Sequence, residues 1–167
     1  MSGTILVRLF EHNNWANDRI IQACSALSDE QLDAEPKSAT KGSIRRTLLH
    51  LVSAQRGYLR LLTLPVEERR APLTDLTFAE LPASASASGE ALLALAGDEA
   101  RLSMMGRREE TEGWFVEPWV LMVQIINHAT EHREQIKSML TFRGVTPPSI
   151  DGWDYGETRE AYSANEK

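Results

Sequence analysis

Apolar residues recur at three- and four-residue spacing through most of this chain, and that spacing limits the fold more than any other feature. The period matches the α-helix, in which residues three and four positions apart lie on one face. It predicts four helices, over residues 5–27, 44–62, 89–104 and 118–142. The last of them has Pro118 at its first position, where proline is well tolerated. The period-two alternation typical of strands is almost absent.

The segments between these helices contain the residues that interrupt helices. Residues 36–42 form a predicted break, and residues 107–113 a predicted polar turn. Ser28 begins a capping-box pattern, which predicts a short helical turn after the first helix. The longest interruption covers residues 65–88, where three prolines and an alternating Ala-Ser run predict a loop.

These elements predict an all-α fold, a four-helix bundle with a long crossover connection between helices 2 and 3. The length is that of one domain, residues 1–167, because a chain of this size buries a single core. We expect residues 143–167 to form a C-terminal tail that packs on the bundle through Trp153 and Tyr155.

Composition excludes several classes of partner. The formal net charge of −6 argues against nucleic acid, because a phosphate-binding surface needs a basic field. No apolar run approaches the roughly 20 residues that span a bilayer, and we expect neither a membrane partner nor a signal peptide. The single cysteine, Cys24, excludes an intramolecular disulfide and lies in an apolar-periodic stretch, so it is predicted to be a buried thiol. A cytoplasmic location is the resulting expectation.

Three of the four histidines lie on predicted inward helix faces. His128 and His132 are four residues apart, about 40° apart around the helix axis, and their imidazoles can converge on one ion. His50, on the second helix, supplies a third ligand. Three neutral imidazoles with an open coordination position are the arrangement of a reactive site rather than a closed structural one. The alternative is that these are hydrogen-bonded core histidines. His12 lies off the apolar stripe and is predicted to be exposed or interfacial.

Polar residues near these histidines are candidates for supporting roles. Gln124, Glu131 and Gln135 are near enough in sequence to accept a hydrogen bond from a ligand imidazole. Asn13 and Asn17 lie on or beside the buried face of the first helix and are predicted to line the same cavity. No residue is identified as a general base.

Two other metal-site motifs fit poorly. Residues 128–132 match H-x-x-E-H, the inverted zinc-peptidase motif, but only 35 residues follow His132, too few for the second half of such a peptidase. A di-iron carboxylate bundle needs Glu three residues before His on two helices, and none of the three histidines has it.

The chain resembles the DinB (damage-inducible) superfamily of metal-binding four-helix bundles. The resemblance rests on short runs in three parts of the chain together with His50. These are NWAN at 14–17, HxxxHRxQI at 128–136, GVTPP at 144–148 and DGW at 151–153. It implies a bundle with a long crossover, a homodimer and a site for one divalent ion formed by His50, His128 and His132. Zinc or nickel is the expected ion, with manganese or iron as alternatives.

The resemblance also implies a range of functions. Characterised relatives include transferases and isomerases that use low-molecular-weight thiols such as mycothiol or bacillithiol. We therefore expect an enzyme acting on a small-molecule substrate, either a metal-dependent thiol S-transferase or isomerase or a metal-assisted hydrolase. The alternatives are a non-catalytic, stress-related module that binds a metal or small ligand, and a dimerisation protein with vestigial histidines. Met104, Met105, Trp114 and Trp119 are predicted to be core residues rather than dimer contacts.

Overall fold

The computed structural model describes residues 4–35, 42–69, 71–111 and 113–162, and long helices dominate it. The long helices are α1 Ile5–Ser25, α3 Ile44–Thr63, α5 Leu81–Ala96 and α7 Pro118–Phe142. The shorter ones are α2 Asp29–Asp33, α4 Val66–Arg69, α6 Glu99–Met104 and α8 Gly152–Thr158. A 3-10 turn, Phe78–Glu80, precedes α5, and two strands, β1 Arg108–Thr111 and β2 Trp114–Val116, precede α7. The predicted helical fold class is confirmed.

Several helices begin at the caps that the sequence predicts. The Ser43 hydroxyl accepts a hydrogen bond from the backbone N–H three residues later, which starts α3. Ser28 and Gln31 form the predicted capping box at α2. Pro118 occupies the first position of α7, whose bounds are those predicted. The predicted break over residues 36–42 lies outside the described residues except at its last position.

Each of the four long helices packs against two others: α1 contacts α5 and α7, and α3 contacts the same two helices. Two clusters of buried apolar side chains lie between them. One includes Ile20, Leu48, Leu51 and Ile136, and the other Phe10, Leu62, Leu92 and Leu121. This packing places α3 directly beside α7. Among the described residues, no helix combines the length and apolar character needed to cross a lipid bilayer.

The predicted loop over residues 65–88 is wrong at its C-terminal end, because α5 passes through the Ala-Ser run. Alanine has the highest intrinsic helix propensity, and a helical serine can bond to a carbonyl of the preceding turn. Ser88 Oγ donates to Ser84 O at 2.6 Å in this way. The small side chains also let α5 lie close to α1: a Cβ atom at Gly89 would be 2.8 Å from Asn14 Oδ1. The Ala-Ser run is therefore helical and forms part of the close contact between α5 and α1.

The predicted third helix over residues 89–104 is also wrong in its bounds, because two helices share this segment. α5 ends before Gly97, and Asp98 caps the separate helix α6 by accepting from Arg101 N at 2.9 Å. The capping carboxylate satisfies an N–H of the new first turn and so favours a restart over continuation. The long connection between α3 and α5 therefore covers residues 64–80 and contains α4.

The predicted polar turn over residues 107–113 is instead the first half of a β-hairpin. β1 and β2 pair antiparallel, and Gly113 between them adopts a φ of +79°. Arg108 attaches the hairpin to the end of α3, donating to Leu61 O at 2.9 Å and Leu64 O at 2.6 Å. Strands of three and four residues are too short to show alternation in the sequence.

Apolar side chains near this hairpin are exposed, which corrects a prediction. Met104, Trp114 and Trp119 were expected in the core, and each is largely exposed, as is Phe115. Met105 is half-buried and packs on the cluster that contains Phe10. Met104 and Trp119 lie at the ends of predicted helices, and Trp114 directly follows the presumed turn, so too few helical turns surround them for the period to separate inward from outward positions.

The C-terminal segment contacts α1 through one of its two predicted anchors. Ile150 is buried, and the Tyr155 ring centroid is 5.3 Å from that of Trp15. Trp153 is 74% exposed, so its predicted anchoring role is wrong. The short helix α8 is therefore attached to α1 by a tyrosine.

Candidate metal centre

Helices α3 and α7 contribute three imidazole rings to one cluster. His50 comes from the middle of α3, and His128 and His132 lie one turn apart on α7. His128 Nε2 is 3.1 Å from His50 Nε2 and 3.1 Å from His132 Nε2. The ligand-capable nitrogens all lie within 4.8 Å of one another. The structure thus brings together the three histidines that the sequence singles out.

Hydrogen bonding alone does not satisfy this convergence of ring nitrogens. An Nε2 atom carries either one hydrogen or one lone pair, so that of His128 serves only one of its two 3.1 Å contacts as a hydrogen bond. A shared cation would accept a lone pair from every ring. With metal–nitrogen bonds of about 2.0–2.1 Å, two ligands of a tetrahedral ion lie about 3.3–3.4 Å apart, close to the spacing seen here. The three residues fit a divalent ion.

Gln135 orients one of the three rings. Its Oε1 lies 2.9 Å from His132 Nδ1, so the ring donates from Nδ1 and its Nε2 lone pair faces the other imidazoles. Fixing the tautomer in this way is the usual role of a residue behind a metal-binding histidine. Of the three residues predicted for this role, Gln135 fills it, whereas Gln124 and Glu131 are exposed.

Tyr58 packs against the cluster and was not predicted. Its ring meets that of His128 edge-on, with 5.8 Å between centroids. Tyr58 lies four residues after Ala54, which itself lies four residues after His50, so extending that face of α3 by one turn would have identified it. Tyr58 gives the cluster an aromatic neighbour from further along α3.

A layer of buried polar residues crosses the helices beside the cluster. Arg133 Nη1 donates to Asn13 Oδ1 at 2.8 Å and to Asn17 Oδ1 at 2.7 Å. Asn17 Nδ2 donates to Gln55 Oε1 at 3.0 Å, and Gln55 Nε2 donates to Ser88 Oγ at 2.7 Å. Asn13 and Asn17 are buried as predicted, but their side chains bond to Arg133 and Gln55 rather than to the clustered histidines. Sequence reasoning missed Arg133 and Gln55, whose polar side chains occupy buried positions of their helices.

His12 stands apart from the other three histidines. Its Nε2 donates to Ile150 O at 3.0 Å, and its ring centroid is 5.5 Å from that of Tyr155. The half-buried ring holds the C-terminal segment on α1, which is the interfacial alternative of the sequence prediction.

Cys24 is buried, and burial raises the pKa of its thiol to about 12. The reactive thiolate is therefore rare near neutral pH. We expect an aromatic disulfide reagent to leave the native protein unmodified and to titrate one thiol per chain in concentrated guanidinium. Modification of the native protein at the rate of a free thiol would contradict this burial.

Comparison with known proteins identifies the family. The family model described as DinB family matches residues 1–165. The crystal structure of a DinB-like protein from Bacillus cereus ATCC 10987 superposes with a TM-score of 0.64 at 18% sequence identity, over 90% of this chain and 100% of that one. At this level of sequence identity, the superposition shows that the two proteins share a fold. No curated protein sequence matches this chain. With its family model matched over nearly the whole length, this chain belongs to the DinB family.

Proposed function

We propose that this protein binds one divalent metal ion through His50, His128 and His132 and uses it as an enzyme on a small-molecule substrate. The observation that carries the proposal is the meeting of three Nε2 atoms, with His128 Nε2 3.1 Å from each of the other two. The proposed reaction is one of three: transfer of a group to a low-molecular-weight thiol, isomerisation that uses such a thiol, or hydrolysis. The resemblance to thiol-dependent relatives favours the thiol reactions.

The number of ligands supports a reactive role. Among the described residues, the cluster contains three metal-binding side chains, and catalytic zinc sites have three protein ligands with the next position open to water or substrate. An ion held there supplies Lewis acidity, which lowers the pKa of a thiol or water molecule that coordinates it. Gln135, bonded to His132 Nδ1, would leave the Nε2 lone pair of that ring for the ion, and the Tyr58 ring lies edge-on to that of His128.

The identity of the ion and of the partners is part of the proposal. Neutral imidazole nitrogen suits zinc and nickel, and manganese or iron are the alternatives. We propose a homodimer in the cytoplasm. The exposed apolar side chains Met104, Trp114, Phe115 and Trp119 are of the kind that a subunit contact covers.

The test is a screen for turnover with a ligand variant beside it. Metal-loaded protein is mixed with several thiols and a panel of small electrophiles and esters, and product formation is followed. We expect His50→Ala to lower any rate by at least about 100-fold, because even residues that only support a ligand cost 10–100-fold. Gln124→Ala, an exposed change on α7, is the matched control and keeps the rate.

Two outcomes would contradict the enzyme proposal. If His50→Ala keeps the rate of the natural protein, the activity does not arise at the histidine cluster. A silent screen with one tightly bound ion per chain would favour the non-catalytic binding module instead.

A further inference from the structure

Arg133 is a buried cation next to a proposed metal ligand. Its side chain is 3% exposed, and it directly follows His132 on α7. The guanidinium donates to three neutral oxygens, those of Asn13, Asn17 and Thr130. Its position is therefore fixed from two helices, α1 and α7.

Within the described part of the chain no carboxylate forms an ion pair with this guanidinium; the exposed Glu134, the next residue, acts on it only at longer range and is itself bonded to Lys137. None of the ion pairs found there includes Arg133. A guanidinium keeps its positive charge at neutral pH even when it is buried. Most buried charges are paired, because removing an ion from water is costly. Asn13 and Asn17 occupy the positions from which an aspartate would neutralise the guanidinium.

A purely structural role does not account for this arrangement. The layer from Arg133 through Asn17 to Gln55 ties α7, α1 and α3 together with hydrogen bonds, and neutral side chains make such bonds too. What arginine adds is a permanent positive charge in a low-dielectric interior. That charge acts on whatever binds at the neighbouring histidines.

We propose that Arg133 is a positioning residue whose unpaired charge makes the metal site select an anionic ligand over a neutral one. The inference rests on the proposed function, since it needs an ion held by the three histidines, and it narrows the substrate class to thiolates and other small anions. The same field opposes the ion itself. Removing the positive charge is therefore expected to weaken the binding of an anionic ligand and to strengthen the binding of the metal ion.

The size of the effect follows from distance and dielectric. Adjacent Cα atoms are about 3.8 Å apart, and the two side chains extend from them, so the guanidinium lies on the order of 10 Å from the cluster. At an effective dielectric constant of about 20, two unit charges at that distance interact strongly enough to change an affinity on the order of ten-fold. Added salt screens a buried charge only weakly.

The test uses Co²⁺-loaded protein, in which visible absorption reports ligand exchange. Azide is the anionic probe and imidazole the neutral one, each titrated at constant pH and ionic strength. We expect Arg133→Met to weaken azide binding about ten-fold, to leave imidazole binding unchanged, and to bind Co²⁺ more tightly. If the substitution merely loosened the site, the affinities for azide, imidazole and Co²⁺ would all fall.

Two further variants make the test independent of the stability of Arg133→Met. Asn13→Asp places a carboxylate where Asn13 Oδ1 now lies, 2.8 Å from Arg133 Nη1, and is expected to weaken azide binding in the same way. Arg133→Lys keeps the charge and is expected to bind azide like the natural protein.

Equal changes in azide and imidazole affinity in Asn13→Asp, or normal azide affinity there, would overturn the inference while leaving the metal site in place. Failure of the natural protein to take up Co²⁺ would overturn the proposed function, and this inference with it. Weak azide binding by Arg133→Lys would show that geometry rather than charge is responsible, which also overturns it.

Discussion

Protein purified without a polyhistidine tag is expected to contain about one divalent metal ion per chain, and the His132→Ala variant to contain almost none. His132 is the most buried of the three clustered histidines, and its Nδ1 bond to Gln135 fixes the ring that faces the others. Losing it leaves two ligands on one ion, which is too few for a stable site of this type. Elemental analysis of the two proteins after dialysis is the measurement.

His12→Ala is the matched control for that loss. It removes an imidazole of the same chemistry whose Nε2 donates to Ile150 O, away from the cluster. We expect it to keep its metal. A ligand that binds the folded state also stabilises it, so a chelator should lower the melting temperature of the natural protein and of His12→Ala but not of His132→Ala. Equal metal content in all three proteins would place the ion elsewhere.

The parts of the fold that were predictable from the sequence are those with a strong local signal. Pro118 marks the start of α7, Gly144 and the prolines after it mark its end, and Ser43 marks the start of α3. The histidine cluster follows from these two helices: the i, i+4 pair fixes two ligands on one face, and His50 lies on the inward face of α3. That α3 packs beside α7 is an assumption at the level of the sequence, and the structure shows it.

The mispredicted parts depend on packing between distant residues. The Ala-Ser run looks like a loop by composition and is helical because Gly89 and its small neighbours fit against α1. The hairpin depends on Arg108 reaching the carbonyls at the end of α3. Arg133 was visible in the sequence, but its burial against Asn13 and Asn17 links positions 116 to 120 residues apart. Helical period alone does not give such pairings.

Phe10→Ala is expected to lower the free energy of unfolding by about 3–5 kcal/mol, the range for deleting a fully buried phenylalanine side chain. Phe10 lies on α1 and is 0% exposed. It belongs to the apolar cluster that also contains Leu62 of α3, Leu92 of α5 and Leu121 of α7. The cavity would therefore open where all four long helices meet, and little relaxation is available to close it. Urea unfolding followed by circular dichroism measures the loss.

Phe142→Ala makes the same chemical change at a site that is 72% exposed, and it should cost less than about 1 kcal/mol. The difference between the two variants mainly reports burial, because the side-chain volume removed is the same in both. Both residues lie in long helices, Phe10 well inside α1 and Phe142 at the last position of α7. Similar losses in the two variants would mean that the helices do not pack around Phe10, and the convergence of α3 and α7 on which the metal site depends would then lack its support.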